Sequence, residues 1–121
     1  MERILIKKTS SKEESIKPNL LRSKKVTCML DEYLLVKLRN IIKGEQASGQ
    51  FKYGSVSEII RASLQSYQNN PQITQTRQLG KPRIAYTFCL SVELYQLYQS
   101  WPLRQRTASL ENIILTYLNT I

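Results

Sequence analysis

The sequence predicts a mainly α-helical protein with a short two-stranded antiparallel ribbon. Three observations support this fold class. The chain of 121 residues contains a strand–helix–helix pattern twice, and corresponding strand residues lie sixty positions apart. Both strand patterns alternate between apolar and polar positions, which indicates one buried face. A single unit has about 40 residues, too few to bury a stable core alone, so we expect the two units to share one core.

The composition divides the chain into four segments. Residues 1–23 combine Lys and Arg with Ser, Thr and Glu, and we interpret them as a basic flexible arm. Residues 24–67 form the first patterned block, and residues 83–121 form the second. Residues 68–82 are rich in Gln and Asn, with proline near both ends, and we interpret them as a linker between the blocks.

The alternation within each strand pattern predicts which side chains face the core. The core-facing set consists of the apolar side chains Val26, Cys28, Leu30, Tyr86, Phe88 and Leu90. The opposite face carries Lys25, Thr27, Met29, Ala85, Thr87 and Cys89. A shift of one residue in register would exchange the two faces of a strand, so this assignment depends on the register.

Each strand is expected to pass directly into a helix. Asp31 follows the first strand and Ser91 follows the second, and both residue types are favoured N-caps. The helix of the first block should end near Gly44. The helix of the second block should end near Pro102, because proline disfavours helical geometry in the residue before it.

A second helix is predicted in each block. In the first block, Ser55 and Glu58 have the spacing of a capping box. In the second block, Ser109 is the matching cap, at an offset of 54 residues. Apolar residues at helical spacing follow both caps: Ile59, Ile60, Leu64, Tyr67, Ile113, Ile114, Leu118 and Ile121.

The composition argues against an enzyme. The chain has no His, which is the commonest general base and metal ligand. Its two cysteines, Cys28 and Cys89, are too few for a zinc site, and its four glycines form no phosphate-binding loop. We therefore expect no catalytic residue, no cofactor and no bound metal.

The expected partner is a polyanion, and nucleic acid is the first candidate. The chain has 18 Lys and Arg against 9 Asp and Glu, a net charge of +9, and small proteins this basic usually bind a polyanion. No apolar run approaches the roughly 20 residues that a membrane span needs, and the start of the chain lacks the pattern of a signal peptide. These features predict a cytoplasmic, nucleoid-associated protein with no membrane partner.

The order of the elements resembles the ribbon-helix-helix (Arc/MetJ/CopG-like) class of DNA-binding proteins. The resemblance rests on residues 25–32, with the sequence KVTCMLDE, and residues 55–64, with the sequence SVSEIIRASL. Residues 109–115, SLENIIL, are a weaker match. Two such units in one chain are similar to TraY-type tandem proteins. The resemblance implies a tandem ribbon-helix-helix pseudo-dimer whose ribbon enters the major groove of DNA.

The resemblance also implies which side chains read the bases. They are the outward-facing side chains Lys25, Thr27, Met29, Ala85, Thr87 and Cys89. Lysine can donate to guanine, threonine can bond base edges or touch a thymine methyl group, and the other three offer apolar contact. Because the two strands differ, the ribbon presents unlike halves. We expect a DNA site that departs from a palindrome.

Phosphate contacts are expected where the second helices begin. The N–H groups and the positive dipole end of a helix form an anion site, here at Ser55 and Val56 and at Ser109 and Leu110. Nearby cations are expected to strengthen these contacts: Lys52, Arg104, Arg106, Lys24 and Arg83, together with Arg22 and Lys81.

The sequence leaves the assembly open between two arrangements. The 15-residue linker has a typical end-to-end distance of roughly 20 Å, enough for the two strands of one chain to pair. The intramolecular pseudo-dimer is therefore the favoured arrangement, and a swapped dimer is the alternative. Either form allows further self-association on DNA.

The expected function is transcriptional repression. Such a protein would block polymerase at its own promoter, in a plasmid or another mobile element. A plasmid relaxosome or partition accessory protein is the main alternative. An antitoxin is a weaker alternative, because the second patterned block extends to Ile121 and leaves no tail for a toxin. A small RNA-binding protein is supported by charge alone.

Overall fold

The computed structural model describes residues 23–78 and 80–121, which form two strands, four α-helices and one 3-10 turn. The predicted arm, residues 1–23, lies outside the described residues except for Ser23. The elements, in chain order, are β1 (Lys24–Asp31), α1 (Glu32–Ser48), α2 (Val56–Asn69), β2 (Arg83–Leu90), α3 (Val92–Gln99), the 3-10 turn (Leu103–Gln105) and α4 (Arg106–Leu118). The prediction of a mainly helical protein with two paired strands is confirmed. Within the described ranges, no helix combines the length and apolar character needed to cross a bilayer.

The two strands pair with each other, antiparallel, within one chain. Thr27 lies opposite Thr87 at the centre of the pairing, and Lys24 and Asp31 mark its two ends opposite Leu90 and Arg83. Because the register is centred on the threonines, residues sixty positions apart lie at equal distances from the centre, at opposite ends of the ribbon.

The inner face of the ribbon is the one that the alternation predicted. Val26, Cys28, Leu30, Phe88 and Leu90 are buried. Tyr86 belongs to the same face but is partly buried: it packs against the core, its ring stacks on Phe88 at 6.2 Å between centroids, and its hydroxyl lies 3.5 Å from the hydroxyl of Ser57.

One hydrophobic core contains residues from both blocks. The buried helical side chains that join the strands in this cluster are Leu34, Leu35, Leu38, Ile59, Ile60, Leu64, Leu94, Tyr98, Leu110, Ile113 and Ile114. Helices α2 and α4 pack against each other, and each also contacts a strand of the ribbon. The expectation of a shared core is therefore confirmed for the described chain.

Three of the four predicted N-caps are confirmed. The Asp31 carboxylate accepts a bond from the N–H of Tyr33 at 2.8 Å, at the start of α1. The Ser91 hydroxyl accepts from Leu94 at 3.3 Å, at the start of α3. The Ser55 hydroxyl accepts from the N–H of Glu58, at the start of α2. Asp31 is the last residue of β1, and Ser91 directly follows β2, so each strand passes into its helix without a loop.

The prediction that α1 ends near Gly44 is wrong. Gly44 lies inside the helix, which continues to Ser48 and ends at Gly49, whose φ of 77° is left-handed. A glycine within a helix is about 1 kcal/mol less favourable than alanine, which is too little to end a helix that is otherwise well supported. Gly49 adopts the left-handed conformation that glycine favours at a helix C-terminus. By contrast, α3 ends at Gln99, three residues before Pro102, close to the predicted position.

The prediction that Ser109 caps the last helix is also wrong. Helix α4 begins at Arg106, so Ser109 lies within it, and Leu110 is fully buried. A 3-10 turn follows Pro102 and leads directly into α4. Nothing in the residues between this turn and Ser109 opposes helical geometry. A good capping residue therefore stands inside a helix that has already begun.

The segment between the blocks is bonded to α4. Helix α2 ends at Asn69, so the first two residues of the predicted linker, 68–82, are helical. The N–H groups of Thr74 and Gln75 both donate to the Thr116 hydroxyl at 3.1 Å. The N–H of Arg77 donates to the Asn112 side chain at 2.7 Å. The segment therefore has fixed contacts on the way to β2.

Candidate nucleic-acid interface

The outer face of the ribbon brings together the six side chains that the sequence predicted for it. Met29 is 50% exposed. Cys89 is partly exposed, and the remaining four are exposed: Lys25, Thr27, Ala85 and Thr87. In a strand, alternate side chains lie on the same face, so burial of the apolar set places these six side chains on the opposite, exposed face. The result is a narrow exposed surface one ribbon wide, which we call the outer face.

The side chains of the outer face form three cross-strand pairs. At the centre, the hydroxyl oxygens of Thr27 and Thr87 are 2.6 Å apart and share a hydrogen bond. The pair at one end is Lys25 with Cys89, and the pair at the other end is Met29 with Ala85. A cation therefore marks one end of the outer face, whereas the opposite end is apolar.

Helix α2 flanks the Lys25/Cys89 end. The guanidinium of Arg61 donates to the backbone carbonyl of Cys89 at 3.0 Å. Arg61 also lies 4.0 Å from Glu58 in an exposed ion pair. Lys24 and Lys25 themselves are exposed. This end therefore presents two lysines to solvent beside an arginine that fixes the strand.

A buried ion network flanks the Met29/Ala85 end. Glu111 of α4 is fully buried. It accepts bonds from the guanidinium groups of Arg83 at 2.7 Å and Arg77 at 3.1 Å, and from the N–H of Asp31 at 2.7 Å. A buried carboxylate needs such partners because burial removes its hydration. Arg83 also donates to the carbonyl of Met29 at 3.3 Å, so its guanidinium is turned toward the protein.

Sequence reasoning missed Glu111. Its neighbours Leu110, Ile113 and Ile114 belong to the buried stripe of α4. An acidic residue within an apolar stripe was the available signal that this carboxylate has cationic partners. Which arginines those are depends on the path of residues 70–78 across α4.

The start of α2 carries the predicted residues Lys52, Ser55 and Val56. The Ser55 hydroxyl accepts from the N–H of Glu58 at 3.3 Å, so its predicted capping role is confirmed. Lys52 is exposed, and its ammonium group lies 5.3 Å from the centre of the Tyr53 ring. Val56 is the first helical residue, and N–H groups at this position have no intrahelical partner.

The loop before α2 is held in place by buried contacts. The hydroxyls of Tyr53 and Tyr117 are 2.7 Å apart, which joins the loop to α4. The carboxylate of Glu45, near the end of α1, accepts from the N–H of Tyr53 at 3.2 Å. Burial and the bond from Tyr53 raise the pKa of Tyr117 to about 12.

The start of α4 is a different environment. Arg106 donates to the carbonyls of Trp101 and Gln99, both at 3.1 Å, and its guanidinium lies 5.7 Å from the centre of the Tyr98 ring. Its N–H donates to the carbonyl of Leu103. Arg106 therefore closes the end of α3.

Of the residues predicted to contact phosphate beside α4, Arg104 is exposed. Ser109 and Leu110 do not start the helix, so the anion site predicted for its N-terminus does not fall on them.

The two thiols differ in their surroundings. Cys28 is buried, and burial, with the nearby Glu111 carboxylate, raises its pKa to about 11. Cys89 is partly exposed on the outer face. Among the residues that the structure describes, no three His, Cys, Asp or Glu side chains are grouped so that they could hold a metal ion.

Compared with family models, curated proteins and solved structures, the chain matches none of them. The ribbon-helix-helix resemblance therefore rests on the residues themselves.

Proposed function

We propose that this chain is a sequence-specific double-stranded DNA-binding protein that inserts the β1–β2 ribbon into the major groove and acts as a transcriptional repressor. The observation that carries the proposal is the pairing register, since it leaves Lys25, Thr27 and Thr87 together on one exposed face. The net charge of +9 supplies the attraction to a polyanion.

The proposed fold is a tandem ribbon-helix-helix pseudo-dimer within one chain. Three features support it: the strand–helix–helix order occurs twice, the two strands pair with each other, and the register is centred on residues sixty positions apart. A pseudo-twofold axis would pass between Thr27 and Thr87. The contacts of residues 74–77 with α4 favour the intramolecular arrangement over a swapped dimer.

The chemistry of the outer face suits base edges in the major groove. That groove is about 12 Å wide and admits a two-stranded ribbon. Lys25 can donate to guanine O6 and N7, and the threonine hydroxyls can donate to or accept from base edges. Met29, Ala85 and Cys89 can contact thymine methyl groups.

Phosphate contacts are proposed for exposed groups around the ribbon. Lys24, Lys52 and Arg104 are exposed cations, and the first N–H groups of α2 add an anion site beside Ser55 and Val56. Contacts of this kind hold the ribbon in register on the duplex, while the outer face distinguishes the bases. A protein bound in this way at a promoter would exclude polymerase.

An electrophoretic mobility shift series with the DNA upstream of the protein's own gene tests the proposal. We expect specific binding that weakens steeply as salt rises, because bound lysines and arginines release counterions from DNA. Lys25→Ala and Thr27→Ala should each reduce the preference for this DNA over unrelated DNA by roughly tenfold.

Matched controls separate base reading from charge and from folding. Lys43→Ala removes an exposed lysine from α1, and Thr76→Ala removes an exposed threonine between the blocks. Both should retain the sequence preference. Equal affinity for the upstream DNA and for unrelated duplexes, or a preference for RNA, would contradict the proposed function. Specific binding confined to other sites would instead favour a relaxosome or partition role.

A further inference from the structure

We infer that the ribbon recognises a DNA site with two unlike halves and binds it in one orientation, with guanine in the half beneath Lys25 and thymine methyl groups in the half beneath Met29. This inference rests on the proposed function. It specifies which half of the DNA site contacts the cationic end of the outer face and which half contacts the apolar end. The evidence is the strand register and the residues that flank each end of the ribbon.

The outer face differs between its two ends at equal distances from the centre. Lys25 in β1 corresponds to Ala85 in β2, sixty positions later, and the register puts them at opposite ends of the ribbon. The Lys25 end offers an ammonium group beside Cys89. The Ala85 end offers a methyl group beside the half-exposed Met29. Lys25 can therefore donate hydrogen bonds to a guanine edge at one end, whereas neither Met29 nor Ala85 has a side-chain donor at the other.

The helices that flank the ribbon strengthen the same asymmetry. Beside the Lys25 end, Arg61 of α2 binds the carbonyl of Cys89, and Lys24 and Lys25 remain exposed. Beside the Met29 end, the cations of Arg77 and Arg83 are both bonded to the buried carboxylate of Glu111.

The charge of the two blocks is unequal in the same sense. The first block, residues 24–67, contains seven Lys and Arg against four Asp and Glu, and the second block, residues 83–121, contains three against two. The base-reading cation therefore lies in the more basic block.

A fixed orientation follows from these differences. If the protein were turned around on its site, Lys25 would lie over the half that lacks its guanine, and Met29 would lie over polar guanine edges. Each lysine–guanine contact is expected to change affinity by roughly tenfold. The turned complex loses this contact and leaves polar base edges unpaired, so one orientation dominates.

Selection of binding sites from a random double-stranded DNA pool, with the intact chain, tests the inference. The wild-type protein should yield a consensus with guanine in one half only. Lys25→Ala should reduce the preference for guanine at that position by roughly tenfold. Ala85→Lys, at an exposed position, adds a cation at the corresponding place in β2, so its consensus should gain guanine in the second half and approach a palindrome.

The control variant is Gln46→Lys, which adds the same charge at an exposed position of α1. It should strengthen binding to all duplexes while leaving the consensus unchanged. A palindromic wild-type consensus, or an Ala85→Lys consensus identical to wild type, would overturn the inference and leave DNA binding intact. Failure of the wild-type chain to enrich any duplex would overturn the proposed function and this inference together.

Discussion

The two halves of the described chain share one order of elements but differ in how their helices begin and end. In the first half, α1 has 17 residues and α2 begins at a serine cap. In the second half, α3 has 8 residues and α4 begins after a 3-10 turn with no side-chain cap. The shared ribbon and core require the same strands and inward faces, whereas the connections can diverge.

The same comparison separates cations by their partners. Arg77, Arg83 and Arg106 are bonded to groups of the protein itself, around α3 and α4. Lys25 and Lys52 belong to the first half of the fold, and both are exposed. An arginine in the sequence is therefore a poor indicator of a phosphate contact until its partners are known. In this protein, the exposed cations Lys24, Lys52 and Arg104 are the better candidates.

The largest expected difference in stability is between alanine variants of Glu111 and Ser57, which occupy corresponding positions, 54 residues apart, in the second helices of the two blocks. Glu111→Ala leaves Arg77, Arg83 and the N–H of Asp31 without their carboxylate. Removing one partner of a buried ion pair lowers the free energy of unfolding by about 3 to 5 kcal/mol. We expect about 3 kcal/mol for Glu111→Ala, because both arginines are partly exposed. Ser57→Ala removes a single contact of 3.5 Å and should cost less than about 0.5 kcal/mol.

Urea unfolding of both variants measures this difference. Similar stabilities for Glu111→Ala and Ser57→Ala would show that the ion network does not stabilise the second half. A Glu111→Gln variant, which retains an acceptor for the N–H of Asp31, should recover part of the lost stability.

The next comparison concerns the starts of α2 and α4. Ser55→Ala removes the hydroxyl that caps α2 and should destabilise the fold by about 1 kcal/mol. Ser109→Ala replaces a serine inside α4 with the best helix former, so the change should lie within about 0.5 kcal/mol of zero. Thermal unfolding followed by circular dichroism distinguishes the two outcomes. If Ser109→Ala lowered the stability as much as Ser55→Ala, Ser109 would be the N-cap that the sequence predicted.

The last comparison, between two glycines at the end of one helix, tests where α1 ends. Gly44→Ala, at a helical position with no atom within 4 Å of the new Cβ, should stabilise the fold by about 0.5 to 1 kcal/mol. Gly49→Ala, at a φ of 77°, should destabilise it by about 1 kcal/mol. Chemical denaturation of both variants measures whether each substitution raises or lowers the free energy of unfolding. Destabilisation at Gly44 would indicate that the helix ends there after all.

The sequence predicted the features that depend on local pattern. The faces of β1 and β2 follow from period-two alternation. The caps at Asp31, Ser55 and Ser91 follow from short-range bonds to N–H groups two or three residues beyond the cap. The pairing of the strands follows from the need of a short strand for a partner. The six residues of the outer face could therefore be named in advance.

The features that depend on tertiary contacts could not be predicted in this way. Near the end of α1, Glu45 accepts a bond from the N–H of Tyr53 in the following loop, a contact that no local pattern shows. The partners of Glu111 depend on a connecting segment that crosses α4. The intramolecular bonds of Arg83 and Arg106, and the position of Ser109 inside α4, are likewise set by the fold and not by local pattern.

Entry of the ribbon into the major groove is the central proposal for this protein, and methylation protection by dimethyl sulfate measures it directly. The reagent modifies guanine N7 in the major groove and adenine N3 in the minor groove. We expect the bound wild-type protein to protect guanine N7 within its site, and Lys25→Ala to lose that protection at the guanine it contacts. Protection of adenine N3 with guanine N7 as reactive as in free DNA would contradict the account.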